Sequence, residues 1–521
     1  MNKNNLKITF EYLSVFTIFT FLTFFINRHI TIRGLYMDDL YMWSWFPNTS
    51  LYDFAIKFYE STRYRPVYYI LQYLEFLFVK NNVIYFSYVN IFLNSLIATF
   101  VYKFSKKLNN GIFISFLIGF FYIMSHFSYY QIHQVIGIIE TFAQFFALLI
   151  LYICINYIEN DDYNKIKLFS IYFLFFLVAF THERFLCLAP LIILSFIFKK
   201  IKKENKSLKN IFITSTRLII EILLILYIRI LGTGKMLPAG TGGTFVEDTF
   251  SIKECFSFLI SQILFIFGIN AGPEHLVGIT FNDTISLIKN IIYISILFIF
   301  IILSIYIYLK IKYISKIKTN NKFKCFFIDV LFLTFIASCI GASSVTIRVE
   351  MRFVYVSFTA SIIYLSYILS SIHTMLRQEI IKKEQIELFF LLTYMSFIGF
   401  FITRNYVEHY YRRYYSKIYC ITDQMRVNSL ADNTVYKYGV DEVLNNKRVF
   451  IFFNKYNFTK FYSEYFFKIY DKNYIGIPIH FINDDKDFPS DFNPENDILL
   501  LEDLNNNGYI NVTDQFSQST N

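Results

Sequence analysis

Apolar runs of about 16–25 residues, separated by short polar loops, recur from residue 9 to residue 403. A run of that length can cross ~30 Å of hydrocarbon as a helix, and a helix satisfies its own backbone polar groups. The pattern predicts an all-α polytopic membrane protein with about eleven spans: 9–27, 83–102, 111–128, 135–157, 168–182, 184–198, 211–230, 285–309, 325–342, 353–371 and 386–403. The first run lacks a small-residue cleavage site and outlasts a usual leader core, so it reads as an anchor.

Charge fits this class. Charged residues make up 17% of the chain, below the ~25% of soluble domains. A net charge of +10 would suggest nucleic acid if it covered a surface. Instead it sits in short loops between apolar runs, where lysine sets orientation. Residues 199–210 and 310–324 carry six lysines each, whereas the longer loop 231–284 carries only Lys235 and Lys253. With the lysine-rich loops in the cytosol, the N-terminus is cytosolic and loop 231–284 lies outside. Segment 404–521 then falls outside as well. The six cysteines show no paired ligand spacing and read as small buried hydrophobes, so no metal site is predicted.

The expected organisation is a transmembrane module over 1–403, with external loops 28–82 and 231–284, and an extracytoplasmic α/β domain over 404–521. The domain is suggested by short apolar runs at Arg448–Phe453, Ile477–Ile482 and Asp497–Leu501, with a helix-like stretch at Thr459–Tyr470. Asp503–Asp514 fits either a calcium loop of EF-hand type or a hairpin turning on Asn-Asn-Gly. The strand-like flanks favour the hairpin. Val67–Val79 is too short to span. With Arg65, Tyr68, Gln72 and Glu75 on one helical face, it reads as an amphipathic helix at the outer interface.

Four polar clusters fall on the outer side. Asp38 and Asp39 follow the first span and are candidates for a general base. Arg63, Arg65 and Pro66 open the interfacial helix. His182, Glu183 and Arg184 form a hinge between two short spans. Arg348, Glu350 and Arg352 precede span ten. A single arginine near a membrane end ordinarily snorkels to head groups. Several on one side, with carboxylates among them, point to an anionic ligand, because the planar guanidinium pairs well with phosphate. Glu140 lies inside an apolar run and by default faces a functional cavity. A structural pairing with Gln144 is the alternative. Glu274 and His275 could reach the same site, on a glycine-containing loop able to order over a ligand.

In that order, the features resemble the GT-C glycosyltransferases, nearest to the protein O-mannosyltransferase and lipid A aminoarabinose-transferase type. Asp38-Asp39 is similar to the family's Asp-Glu pair, and Arg65-Pro66-Val67-Tyr68-Tyr69 to its proline motif. Thr181-His182-Glu183-Arg184 with Pro190 resembles its Lys-Glu hinge, and Arg352-Phe353-Val354-Tyr355 its late Arg-Tyr motif. The resemblance covers residues 1–371. Asp39 stands where Glu is usual and His182 where Lys is usual.

The resemblance implies an inverting transfer of a sugar from a polyprenyl-phosphate donor to a glycan, lipid or protein acceptor, at the outer face of a bacterial plasma membrane. Asp38 would be the base. Arg65, His182, Arg184, Arg348 and Arg352 would hold the donor phosphate, with Glu140, Glu183, Glu274, His275 and Tyr355 lining the pocket. Whether a divalent metal takes part is left open. The rival readings are a lipid-linked-sugar flippase, for which paired halves and broken midplane helices are expected, and a glycan polymerase.

Overall fold

The computed structural model describes residues 3–58, 63–160, 165–202, 209–235, 246–316, 326–379, 399, 419–452 and 460–517. Among the described residues, seven helices are long and apolar enough to cross a membrane: Leu6–Asn27, Tyr85–Lys107, Ile138–Glu159, Ile211–Thr233, Ser286–Ser315, Phe327–Ser344 and Met351–Arg377. An eighth is reached if Ile112–Ile123 and His126–His133, bent by 52°, count as one span. The break falls at Ser125, whose extended backbone starts a new helix and whose hydroxyl accepts from the Ser128 amide. The expected count of about eleven is therefore not confirmed. The hinge helices Lys165–Thr181 and Ala189–Lys202 have only 17 and 14 residues, and 386–403 lies outside the described residues.

The bundle has two chemically different ends. At one end Lys106 pairs with Glu11, Lys107 with Glu159, and Lys310 with Asp329 at 2.9 Å. Lys199 donates to the Asn160 carbonyl. At the other end lie loop 28–65, the hinge at 182–188, the end of Lys209–Thr233 and the segment before Met351. Here Gly232 passes so close to Tyr64 that a Cβ would meet the ring at 2.6 Å.

Helix Pro66–Val79 lies across this second end. Arg65 is its N-cap, and Pro66 fills its first turn, where no backbone donor is needed. The polar stripe is turned inward: Arg65, Tyr68, Gln72 and Glu75 are all buried. Leu74, Leu77 and Phe78 are the exposed residues, at 51%, 45% and 67%. In water that orientation would be inverted; against lipid it is the expected one.

In loop 231–284 the described residues 246–284 include a capped helix. Ser251 caps helix Ile252–Ile266 by accepting from the Glu254 amide. That helix packs on Phe327–Ser344 and Met351–Glu379. The glycines at 240, 242 and 243 lie outside the described residues.

The C-terminal domain is built on a four-stranded sheet in the order β2-β1-β3-β4, where β1 is Arg448–Phe452, β2 Ile479–Ile482, β3 Asp497–Asp503 and β4 Gly508–Asn511. β1 runs parallel to β2 and β3, and β3 pairs antiparallel with β4. One sheet face buries Phe450, Ile482, Leu499 and Val512. The hairpin reading holds: Asp503 faces Gly508 across the ladder. Its carboxylate accepts from the Asn505 and Asn506 amides, and Asn507 takes φ 50°.

The domain grips the first loop of the membrane module. Arg33 pairs with Asp432, and Gln424 donates to the Gly34 carbonyl at 3.0 Å. Lys468 donates to the Ser44 carbonyl at 2.6 Å, and Asn81 donates to the Ile469 carbonyl at 2.8 Å.

Candidate functional site

From the head of helix Pro66–Val79, Arg65 reaches the hinge. Its Nε donates to Glu183 Oε2 at 2.7 Å and its Nη2 to Oε1 at 2.9 Å, a two-pronged fork between buried side chains. Glu183 opens the 3₁₀ turn Glu183–Leu188 that reverses the chain between the two short helices. Burial alone would raise its pKa, but the Arg65 and Arg229 guanidiniums hold it well below the usual carboxylate range. His182 caps the same turn, its Nδ1 accepting from the Arg184 amide at 3.4 Å. Burial, with Arg65 and Arg184 beside it, pushes the imidazole pKa well below its ordinary value. His182 is therefore neutral near pH 7 and adds no charge to an anion site.

Arg184 donates to Glu140, which occupies the first turn of Ile138–Glu159, where the helix N-terminus favours a carboxylate. Glu140 thus pairs across the bundle with an arginine. Arg348 Nε donates to Glu350 Oε1 at 2.8 Å, and Arg352 pairs with the other oxygen of the same carboxylate. Burial would raise the Glu350 pKa, but Arg352 and Arg348 hold it low. The guanidiniums of Arg184 and Arg352 lie 5.5 and 5.3 Å from the centre of the Phe353 ring. Arg63 feels the charges of Arg65, Glu183 and Arg352. Three of the four sequence clusters therefore meet in one place.

Within that place, among the described residues, Arg63, Arg65, Arg184, Arg229, Arg348 and Arg352 face Glu140, Glu183 and Glu350. All three carboxylates are engaged. Arg229, in the last turns of its span, is 2% exposed. Its Nε and Nη1, and Nη1 of Arg184, are buried without a hydrogen-bond partner among the described residues. Burying cationic donors unmatched is expensive, and six guanidiniums face three carboxylates, so the cluster is short of negative charge. The three arginines expected to hold a donor phosphate, Arg65, Arg184 and Arg352, come together in this cluster, each already beside a carboxylate. Glu183 occupies the fork of Arg65 and Glu350 engages Arg352, so the uncommitted donors belong to Arg184 and Arg229.

The two aspartates separate. Both lie on helix Met37–Trp45, but Asp38 is exposed and Asp39 is 6% exposed. Tyr68, one turn past Arg65, feels Arg65, Asp39 and Glu75 together, which puts Asp39 on the inner side of the polar stripe. The Glu75 carboxyl is buried with no hydrogen-bond partner among the described residues. Burial and the nearby Asp39 raise its pKa well above the usual range.

Tyr355 lies deeper, its hydroxyl against that of Tyr122 and within 3.4 Å of Asn94 Nδ2. Glu274 and His275 open the short helix Glu274–Val277. His275 lies near Asp423 of the C-terminal domain, whose carboxyl feels its charge, and no described contact joins either residue to the arginine cluster. Among the described residues, no three or more His, Cys, Asp or Glu side chains gather as metal ligands.

No protein-family model matches the chain, and no curated protein matches it.

Proposed function

We propose that this protein is an inverting membrane glycosyltransferase that moves a sugar from a polyprenyl-phosphate donor to a hydroxyl acceptor, with its lysine-rich end in the cytosol. The observation that carries the reading is the shortfall of negative charge. Buried N–H groups on Arg184 and Arg229, without a hydrogen-bond partner among the described residues, sit beside Glu140 and Glu183 at the hinge end of an apolar bundle. A phosphate on a lipid chain matches both surroundings.

In this reading the donor phosphate lies between Arg184 and Arg229, and its isoprenoid chain lies along the bundle. The acceptor oxygen attacks the anomeric carbon from the face opposite the phosphate. Its proton passes to Asp39, and the bond between the anomeric carbon and the phosphate oxygen breaks. The leaving polyprenyl phosphate gains one negative charge, which the two arginines stabilise by electrostatics already in place. Arg65 positions the hinge through Glu183 and does not itself touch the phosphate. Asp39, not the expected Asp38, is the better base, because a base must face the reacting groups and Asp38 points to solvent.

The test is purified protein in lipid vesicles given radiolabelled polyprenyl-phosphate sugars, followed by the release of free polyprenyl phosphate. Release that depends on acceptor and falls ~10²–10³-fold in Arg229→Gln supports the reading. Movement of intact donor across the bilayer without release would replace it with a flippase.

A further inference from the structure

Away from the arginine cluster, a groove of about 540 Å³ runs between Lys3–Asn27, Tyr85–Lys107 and Ile138–Glu159. Its walls are apolar, including Phe16, Leu96, Phe100 and Phe145, and the one charged residue in its lining is Lys103. Leu13 and Leu96 on its rim are 60% and 39% exposed, so the groove opens sideways into hydrocarbon. Along Tyr85–Lys107 the lining runs from Leu93 to Lys103. At ~1.5 Å per residue that is about 15 Å, half of a ~30 Å core and so the depth of one leaflet.

Lys103 is chemically set apart from its neighbours. Lys106 and Lys107 are neutralised by Glu11 and Glu159, whereas Lys103 has no carboxylate partner among the described residues. Its ammonium is held between two rings, 5.8 Å from the centre of Tyr12 and 5.5 Å from that of Tyr152. Aromatic faces hold a cation in place without cancelling its charge.

We infer that this groove is a binding site for an anionic glycerophospholipid of the leaflet at the lysine end, one acyl chain lying in the groove and the phosphate meeting Lys103. Depth selects a single chain of one leaflet, and the unmatched lysine at the mouth selects net negative head groups. Basic sites between membrane helices recognise such lipids by this chemistry. The site does not depend on the proposed transferase activity.

The test is native mass spectrometry of the full chain released from vesicles of equal phosphatidylglycerol and phosphatidylcholine. The expected result is a retained lipid favouring phosphatidylglycerol about five-fold, roughly what one lysine near an anionic surface supplies. Lys103→Gln should abolish the preference, and Lys106→Gln should leave it. Thr99→Trp, which fills the groove, should remove the retained lipid while thermal unfolding remains cooperative. Equal retention of the two lipids by the wild type, or a preference that survives Lys103→Gln, would overturn the assignment. A lipid retained by Thr99→Trp as strongly as by the wild type would do the same.

Discussion

Both ends of the bundle are basic, yet lysine and arginine are handled in opposite ways. At one end, apart from Lys103, lysines near helix ends meet local partners: Lys106 meets Glu11, Lys107 Glu159, Lys310 both Asp329 and the Tyr306 hydroxyl, and Lys199 the Asn160 carbonyl. At the other, arginines are drawn inward, share three glutamates and leave donors over. A lysine ammonium is a compact, strongly hydrated charge that suits a helix end. A guanidinium is weakly hydrated and forked, and tolerates burial when an anion is offered. The contrast separates lysines satisfied locally, Lys103 apart, from arginines drawn together around shared carboxylates.

The sharpest way to break this contrast is Asp39→Asn. If the arginine end is the reacting end, turnover should fall ~10²–10⁴-fold, the usual cost of losing a positioned base. Asp38→Asn should remain near wild type in the same assay. Equal losses in both variants would mean that exposure does not separate the two.

Next is stability. Arg65→Ala strands the Glu183 carboxylate inside the protein, and breaking a buried pair this way costs about 3–5 kcal/mol. Denaturant unfolding should register that loss, and Arg65→Ala with Glu183→Gln should recover part of it. A double variant no better than Arg65→Ala would mean that the pair is not the source of the loss.

A smaller effect is expected from acid. His182 has a lower pKa folded than unfolded, so below pH ~6.5 the unfolded chain takes up the proton first. Its contribution is complete above ~6.5 and is lost on acidification, by up to about 1.4 kcal/mol per pH unit, until the folded value is reached. Melting curves between pH 7.5 and 5.5 should therefore slope less in His182→Gln. Parallel slopes would show that the imidazole is accessible to protons in the folded state.

The smallest effect belongs to the other end. Lys106→Ala removes a partly exposed pair with Glu11 and should cost about 0–1 kcal/mol, with turnover unchanged. A loss as large as that of Arg65→Ala would erase the contrast between the ends.

Much of this could be read from local pattern. The polar stripe of helix Pro66–Val79 follows from the spacing of Arg65, Tyr68, Gln72 and Glu75, and the β3–β4 hairpin from Asn-Asn-Gly between β-branched and aromatic residues. Apolar length marked out most of the long helices. What escaped depends on distant partners. Glu140 finds Arg184 44 positions away, and nothing local distinguishes that from a pair with Gln144. Near a span end, Arg229 has no local feature that separates it from a snorkelling residue. An ionisable group inside an apolar run deserved the same suspicion given to Glu140, but its position beside Glu183 arises only in the packed bundle. The grip of the C-terminal domain on loop 28–65, through residues almost 400 positions apart, has no local signature.

The inward polar stripe of Pro66–Val79 also constrains the order of assembly. When this segment leaves the ribosome, the carboxylate for Arg65 lies 118 residues further along the chain and has not yet been made. Until residue 183 and the helices around it are in place, the segment has apolar residues fit for lipid but no partner for its guanidinium. It must wait at the membrane surface rather than settle. The first loop is therefore completed late, although it is synthesised early. Chains halted before the hinge should leave Pro66–Val79 open to protease, and chains reaching past residue 202 should protect it. The stretch around Arg33 and Ser44, in contrast, should be protected only once the C-terminal domain is made.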